Sequence, residues 1–192
     1  MSSGYLSDAG LFLIDTILGL FILIVLLRFL FQLMKADFYN PISQFVLKMS
    51  NRPIMVLRNI IPSFGRLDFA TVVLLLILES ARIAFTSLLI GHSPKLSGVV
   101  VLSIGELLKL SIYVLIFSIF IRAILSWFSM GRYNPVIQLL YSFTEPMMAP
   151  IRRFLPTITG LDLSPIILFF LLMLLIKLLV QPILDIGRIL IY

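Results

Sequence analysis

The chain has no cysteine, one histidine and one tryptophan in 192 residues. Without thiols it holds no disulfide, no thiolate metal site and no cysteine nucleophile. The one histidine, His92, sits in "GHSPKLS" and reads as a solvated loop residue. No HExxH, GxSxG, paired-carboxylate motif or Walker loop occurs, so the expectation is a non-enzymatic protein with no cofactor and no metal. Glycine is sparse, and no two glycines stand four apart, so a glycine-mediated helix dimer is not signalled. Charge is scarce too, at 12% of residues, where ordinary globular chains carry roughly 25%. With a mean hydropathy of +1.14, a soluble domain is excluded.

What is present is apolar length. Four stretches reach the ~20 helical residues that a bilayer core requires: Leu11 to Met34, Phe69 to Ile90, Val99 to Phe128, and Leu163 to about Ile186. They show no alternation of period two, so helices are predicted rather than a barrel. The opening "MSSGYLSDAG" lacks the basic region of a secretory leader, so the first stretch is predicted to stay as a span.

The net charge of +6 would suggest nucleic acid on a soluble domain. In a membrane chain it reports loops facing anionic lipid, the expected partner here, with membrane proteins as further candidates and nucleic acid excluded. The long first and third connections hold Lys35, Lys48, Arg52, Arg58, Arg66, Arg132, Arg152 and Arg153; the short second one holds only Lys95. This asymmetry places the long connections in the cytoplasm and both termini outside.

The connections also repeat. Setting each residue against the one 94 positions later gives identity at Arg28/Arg122, Tyr39/Tyr133, Asn40/Asn134, Pro41/Pro135, Gln44/Gln138, Arg58/Arg152, Pro62/Pro156, Leu67/Leu161 and Asp68/Asp162. Nine identities in 41 columns exceed the roughly three that composition supplies. The predicted architecture is an all-α membrane protein of two parallel repeats, residues 1–94 and 95–192, each a span, a cytoplasmic connection and a span.

Each Asn-Pro pair is a helix start, with asparagine as cap and proline at the first helical position. After Pro41, residues Ile42, Phe45, Val46 and Met49 make one apolar stripe; after Pro135, so do Val136, Leu139, Leu140 and Phe143. Pro53 and Pro146 are expected to break each helix, with a second short piece carrying Arg58, or Arg152 and Arg153. A broken amphipathic helix at the cytoplasmic interface, apolar side in the acyl boundary, is the expected result. A re-entrant element lining a polar path and a partner-docking surface are the other two readings.

These residues carry a family resemblance. "RAILSWFSMGRYNPVIQLLYSFTEPMMAPIRRFLP" resembles the signature segment of the YggT (YlmG-like) family of small membrane proteins. The first repeat lacks the Ser-Trp-Phe and Glu-Pro elements, with "RFLFQLM" and "SNRPI" in their places. The resemblance spans nearly the whole chain, in the duplicated form of proteobacterial members. It implies a bacterial inner-membrane location, a link to osmotic-shock resistance or, as in plastid relatives, to membrane-complex assembly, and no catalytic residues.

Two sets of candidates follow. The lipid- or partner-binding set is Arg28, Asn40, Pro41, Arg58, Arg122, Asn134, Pro135, Glu145, Arg152 and Arg153. Arg28 and Arg122 are expected either to snorkel or to clamp the connections by pairing with Asp68, Glu145 or Asp162. The intramembrane set is Glu79 with Arg82 and Glu106 with Lys109, ion-pair candidates at i, i+3 that suit either structure or an ion or solute pathway. Asp15, Lys177, Asp185 and Arg188 are read as snorkelling residues nearer the outer ends.

Overall fold

The computed structural model describes residues 2–61, 67–127, 134–154 and 162–192. Pro62, Arg66, Arg132, Tyr133, Pro156 and Leu161 lie outside the described residues. Every regular element among those described is helical: α1 (Ser2–Leu33), α2 (Pro41–Arg58), α3 (Phe69–Leu89), α4 (Leu96–Trp127), α5 (Pro135–Phe154), α6 (Ser164–Leu175) and α7 (Gln181–Leu190). Between α6 and α7 the helix continues through a π turn, Ile176–Val180. Four segments are long and apolar enough to cross a membrane: Ala9–Leu33, Phe69–Leu89, Leu96–Leu125 and Ser164–Leu190.

Within the first repeat α1 packs on α3, and α2 lies against both; within the second, α4 packs on α6 and α7, and α5 lies against α4 and α6. The repeats meet through α3 against α4 and through α2 against α5. Buried apolar residues fill the middle: Ile22, Val25 and Leu26 of α1, Leu74 and Leu75 of α3, Ile112 and Leu115 of α4, and Leu172 of α6. At the α3–α4 contact Ser80 and Ser103 share a hydroxyl hydrogen bond of 3.0 Å. Such a bond joins helices where lipid gives little hydrophobic drive between them.

Glycine sets the approach of α4 to α7, although no four-residue glycine spacing announces it. A Cβ on Gly98 would overlap the backbone of Leu190 and Ile191, and one on Gly187 would stand 2.9 Å from the Leu102 nitrogen. Gly105 faces the Leu184 side chain. The effective spacing is seven residues, two helical turns, which keeps Gly98 and Gly105 on one face. Gly4, the counterpart of Gly98, has open space around it.

The predicted breaks at Pro53 and Pro146 do not occur. Both α2 and α5 run unbroken through their prolines, α5 through Pro150 as well. A proline deletes one helical hydrogen bond and crowds the carbonyl four residues back, a cost of ~3 kcal/mol. Tertiary bonds on both sides of each proline hold the helix together against that cost, as described below.

Candidate functional site

The caps form as expected. Asn40 Oδ1 accepts from the Ile42 amide at 3.0 Å, and Asn134 Oδ1 from the Val136 amide at 2.9 Å. Pro41 and Pro135 begin the two helices. Asn40 does more than cap: buried, it donates through Nδ2 to the Pro135 carbonyl at 2.7 Å, tying the two connections together. The Asp37 amide adds a bond to Ser142 Oγ at 3.1 Å. Phe31 and Phe143 pack edge to face with ring centroids 5.3 Å apart. The connections therefore touch, on the side where α1 ends and α3 begins.

Arg28 and Arg122 do not snorkel. Both are buried and turn into the protein. Arg28 Nη1 donates to Ser50 Oγ at 3.2 Å and Asn51 Oδ1 at 3.3 Å. Arg122 does the same one repeat later, to Thr144 Oγ1 at 2.7 Å and Glu145 Oε2 at 2.7 Å, and lies 4.1 Å from the Tyr141 ring centroid. These residues precede Pro53 and Pro146. Beyond the prolines, Arg58 bonds Asp68 at 2.5 Å, while Arg152 reaches Glu145 at 2.8 Å and Asp162 at 3.0 Å. Each connection helix is thus pinned to a span before its proline and to the next span's start after it.

The second repeat's clamp is a continuous chain, Arg122–Glu145–Arg152–Asp162. Burial pushes the Glu145 carboxyl up, but Arg122 and Arg152 outweigh it, and the group ends below the usual carboxylate range. Asp162 ends low for a similar reason, through the Ser164 amide and Arg152. Asp68 is fully buried and still held low by Arg58 and the Thr71 hydroxyl.

The predicted apolar stripes divide between protein and surface. In α2 the buried positions are Ser43, Val46, Ser50 and Ile54, whereas Phe45 and Met49 of the predicted stripe are 58% and 48% exposed. In α5 Leu139 and Phe143 are buried as stripe positions and Val136 is exposed. Small and polar residues suit a face that must approach Arg28, and spacing alone does not reveal which face meets protein. Lys48, Arg52 and Arg153 stay exposed and form no ion pair among the described residues. Arg153 thereby parts company with Arg152.

The intramembrane set pairs as its spacing predicts. Arg82 meets Glu79 at 2.5 Å, and Lys109 meets Glu106 at 3.2 Å. Sequence reasoning missed a third member: Asp15 reaches Arg82 at 2.7 Å across α1 and α3. A cavity of about 340 Å³ opens there, with Asp15, Arg82, Glu106, Arg188 and Tyr192 in its wall. Arg188 pairs with Asp185 at 3.2 Å. Lys177, expected near an outer end, instead stands in the π turn midway along Ser164–Leu190, exposed. The single histidine, His92, packs against Tyr192 with ring centroids 4.9 Å apart and the planes tilted by 47°. Among the described residues no group of histidines and carboxylates fits a metal ion.

The family model for CCB3/YggT matches residues 7–89 and again residues 101–183. The chain belongs to the CCB3/YggT family. Among relatives of this family, an uncharacterised Pseudomonas aeruginosa protein is 39% identical over 166 residues, covering 85% of this chain and 84% of the relative. An uncharacterised Vibrio alginolyticus protein from the region 3′ of proC is 42% identical over 160 residues, 82% of this chain and 86% of its own. The YggT protein of Escherichia coli K12, also uncharacterised, is 37% identical over 163 residues, 84% of both chains. No solved structure matches the chain.

Proposed function

We propose that this CCB3/YggT-family membrane protein is a non-enzymatic component of the bacterial inner membrane. Its two cytoplasmic helices, α2 and α5, bind anionic lipid and so support membrane integrity under osmotic shock. The two repeats run parallel, with the termini on the periplasmic side, as the excess of lysine and arginine in the long connections indicates. The observation that carries this reading is a division among the basic residues. Arg28, Arg58, Arg122 and Arg152 are engaged by partners within the chain, while Lys48, Arg52 and Arg153 stand exposed. Beside them on α2, Phe45, Met49, Met55 and Val56 are exposed apolar residues that suit the acyl boundary. Each cation near an anionic surface contributes about 1 kcal/mol, lost as salt rises.

The other reading, a solute path, draws support from the cavity around Arg82. The buried apolar layer of Ile22, Val25, Leu26, Leu74, Leu75, Ile112 and Leu115 weighs against it, since that layer lies between the cavity and the clamps. Survival of hypo-osmotic shock tests the lipid reading, in a strain that depends on this protein. Replacing Lys48, Arg52 and Arg153 together by Gln at matched membrane abundance is expected to lower survival. Wild-type survival would refute the role assigned to these cations.

A further inference from the structure

We infer that the cavity lined by Asp15, Arg82, Glu106 and Arg188 is a binding site for a zwitterion with an ammonium and a phosphate, best matched by a phosphatidylethanolamine headgroup. The site lies at the end of the spans opposite α2 and α5, where the α3–α4 turn and Tyr192 meet.

Its charges run from near the helix ends, at Arg188, into the spans. Arg82 stands seven residues before Leu89, the end of α3, and Glu106 ten residues after Leu96, the start of α4. At 1.5 Å per residue these lie about 10 and 15 Å below the helix ends. Ion pairs at such depth are costly to hold without a polar neighbour, and intramembrane charges of this kind mark binding sites.

Its charge pattern selects the ligand class. The wall offers two cations and two anions from four helices: Asp15 of α1, Arg82 of α3, Glu106 of α4 and Arg188 of α7. A simple anion would meet Asp15 and Glu106 as well as the arginines, and a simple cation the reverse; a zwitterion satisfies both sets. Arg82 gives Nε and Nη2 to Glu79 and Nη1 to Asp15, three of its five N–H donors. Two donors remain for a phosphate, and the buried Glu79 holds the guanidinium in place for them. Asp15 uses one carboxylate oxygen on Arg82 and is half exposed, so the other can accept from an ammonium. Between these groups Ile83, Ile90, Leu102 and Ile191 supply an apolar wall for glycerol and the first acyl carbons.

The test uses full-length protein in detergent. Binding of short-chain phosphatidylethanolamine is measured by native mass spectrometry and calorimetry, beside short-chain phosphatidylglycerol and chain-free phosphoethanolamine. Phosphatidylethanolamine is expected to bind about tenfold or more tightly than phosphatidylglycerol, the worth of one charge-assisted hydrogen bond. Glu106→Gln, which leaves the Glu79–Arg82 pair intact, is expected to erase that preference, whereas Arg188→Gln is expected to weaken both lipids alike, since both carry the phosphate. Binding of phosphoethanolamine at similar affinity would assign the site to a free zwitterion of the same chemistry; its failure beside lipid binding would assign it to the lipid. Equal binding of the two lipids by the wild type, a preference unchanged in Glu106→Gln, or unchanged affinity for both lipids in Arg188→Gln would overturn the site.

Discussion

Among the described residues, the buried guanidinium of Arg28 in the first repeat donates to neutral oxygens, Ser50 Oγ and Asn51 Oδ1, at 3.2 and 3.3 Å. In the second, Arg122 at the matching position meets Thr144 Oγ1 and the Glu145 carboxylate, both at 2.7 Å. An ionised donor meeting an ionised acceptor makes the stronger bond, and Arg122 has one where Arg28 does not, although its bond to the neutral Thr144 hydroxyl is equally short. The difference rests on one exchange, asparagine for glutamate 94 positions on. It links the contacts into the chain Arg122–Glu145–Arg152–Asp162, whereas in the first repeat no hydrogen bond among the described residues joins Arg28 to the Arg58–Asp68 pair. The repeats thus share one scaffold, with the second helix fixed by a linked chain of charges and the first by the separate Arg58–Asp68 pair, by neutral bonds to Arg28 and by its contacts with the second.

The largest way to break the comparison lies in the glycines. Gly98→Leu is expected to cost about 3 kcal/mol or more, because its side chain has only Leu190 and Ile191 backbone to displace. Gly4→Leu, with open space around it, is expected to stay within about 0.5 kcal/mol. Thermal unfolding of the two variants in detergent measures both.

Next comes the clamp. Glu145→Ala leaves the buried Arg122 without its carboxylate and is expected to cost about 2 kcal/mol, less than a fully buried pair because Glu145 is part exposed and Thr144 still accepts from Arg122. Asn51→Ala removes a neutral acceptor and is expected to cost about 1 kcal/mol. Asn51→Glu sharpens the contrast by placing a carboxylate where the second repeat has one, and unfolding should then move upward.

Acid acts on the same groups. Glu145, Asp162 and Asp68 are all held below their ordinary carboxylate values in the folded chain. Their contribution is therefore complete above the unfolded value of about 4 and is lost as pH falls through the folded values. Unfolding midpoints should drop below about pH 4, and Glu145→Gln should flatten that drop.

The smallest contrast concerns the caps. Asn134→Ala is expected to cost about 1 kcal/mol. Asn40→Ala should cost roughly twice that, since it also gives up the bond to the Pro135 carbonyl. Equal midpoints for the two would contradict the cross-repeat role of Asn40.

Spans, caps and i, i+3 ion pairs were legible because each depends on neighbours in the chain. Apolar length marks Phe69–Leu89, and Asn-Pro marks the start of α2, without reference to anything distant. The burial of Arg28, the Asp15–Arg82 bond and the bond from Asn40 to Pro135 were not legible, since their partners lie 22, 67 and 95 residues away. The unbroken α2 belongs with these. Proline predicts a break locally, and the bonds that prevent it, Arg28 to Ser50 and Arg58 to Asp68, come from tertiary structure. The inward face of α2 was hidden for a related reason, because the apolar pattern marks a stripe without showing that Ser43 and Ser50 meet protein and that Arg28 recruits Ser50.

The most direct test of the lipid-binding surface is native mass spectrometry of the full-length protein released from membranes containing phosphatidylglycerol. Wild-type protein should retain phosphatidylglycerol, and the variant with Lys48, Arg52 and Arg153 all replaced by Gln should lose most of it while its unfolding midpoint stays unchanged. Equal retention by the two proteins would contradict the assignment of these exposed cations to anionic lipid.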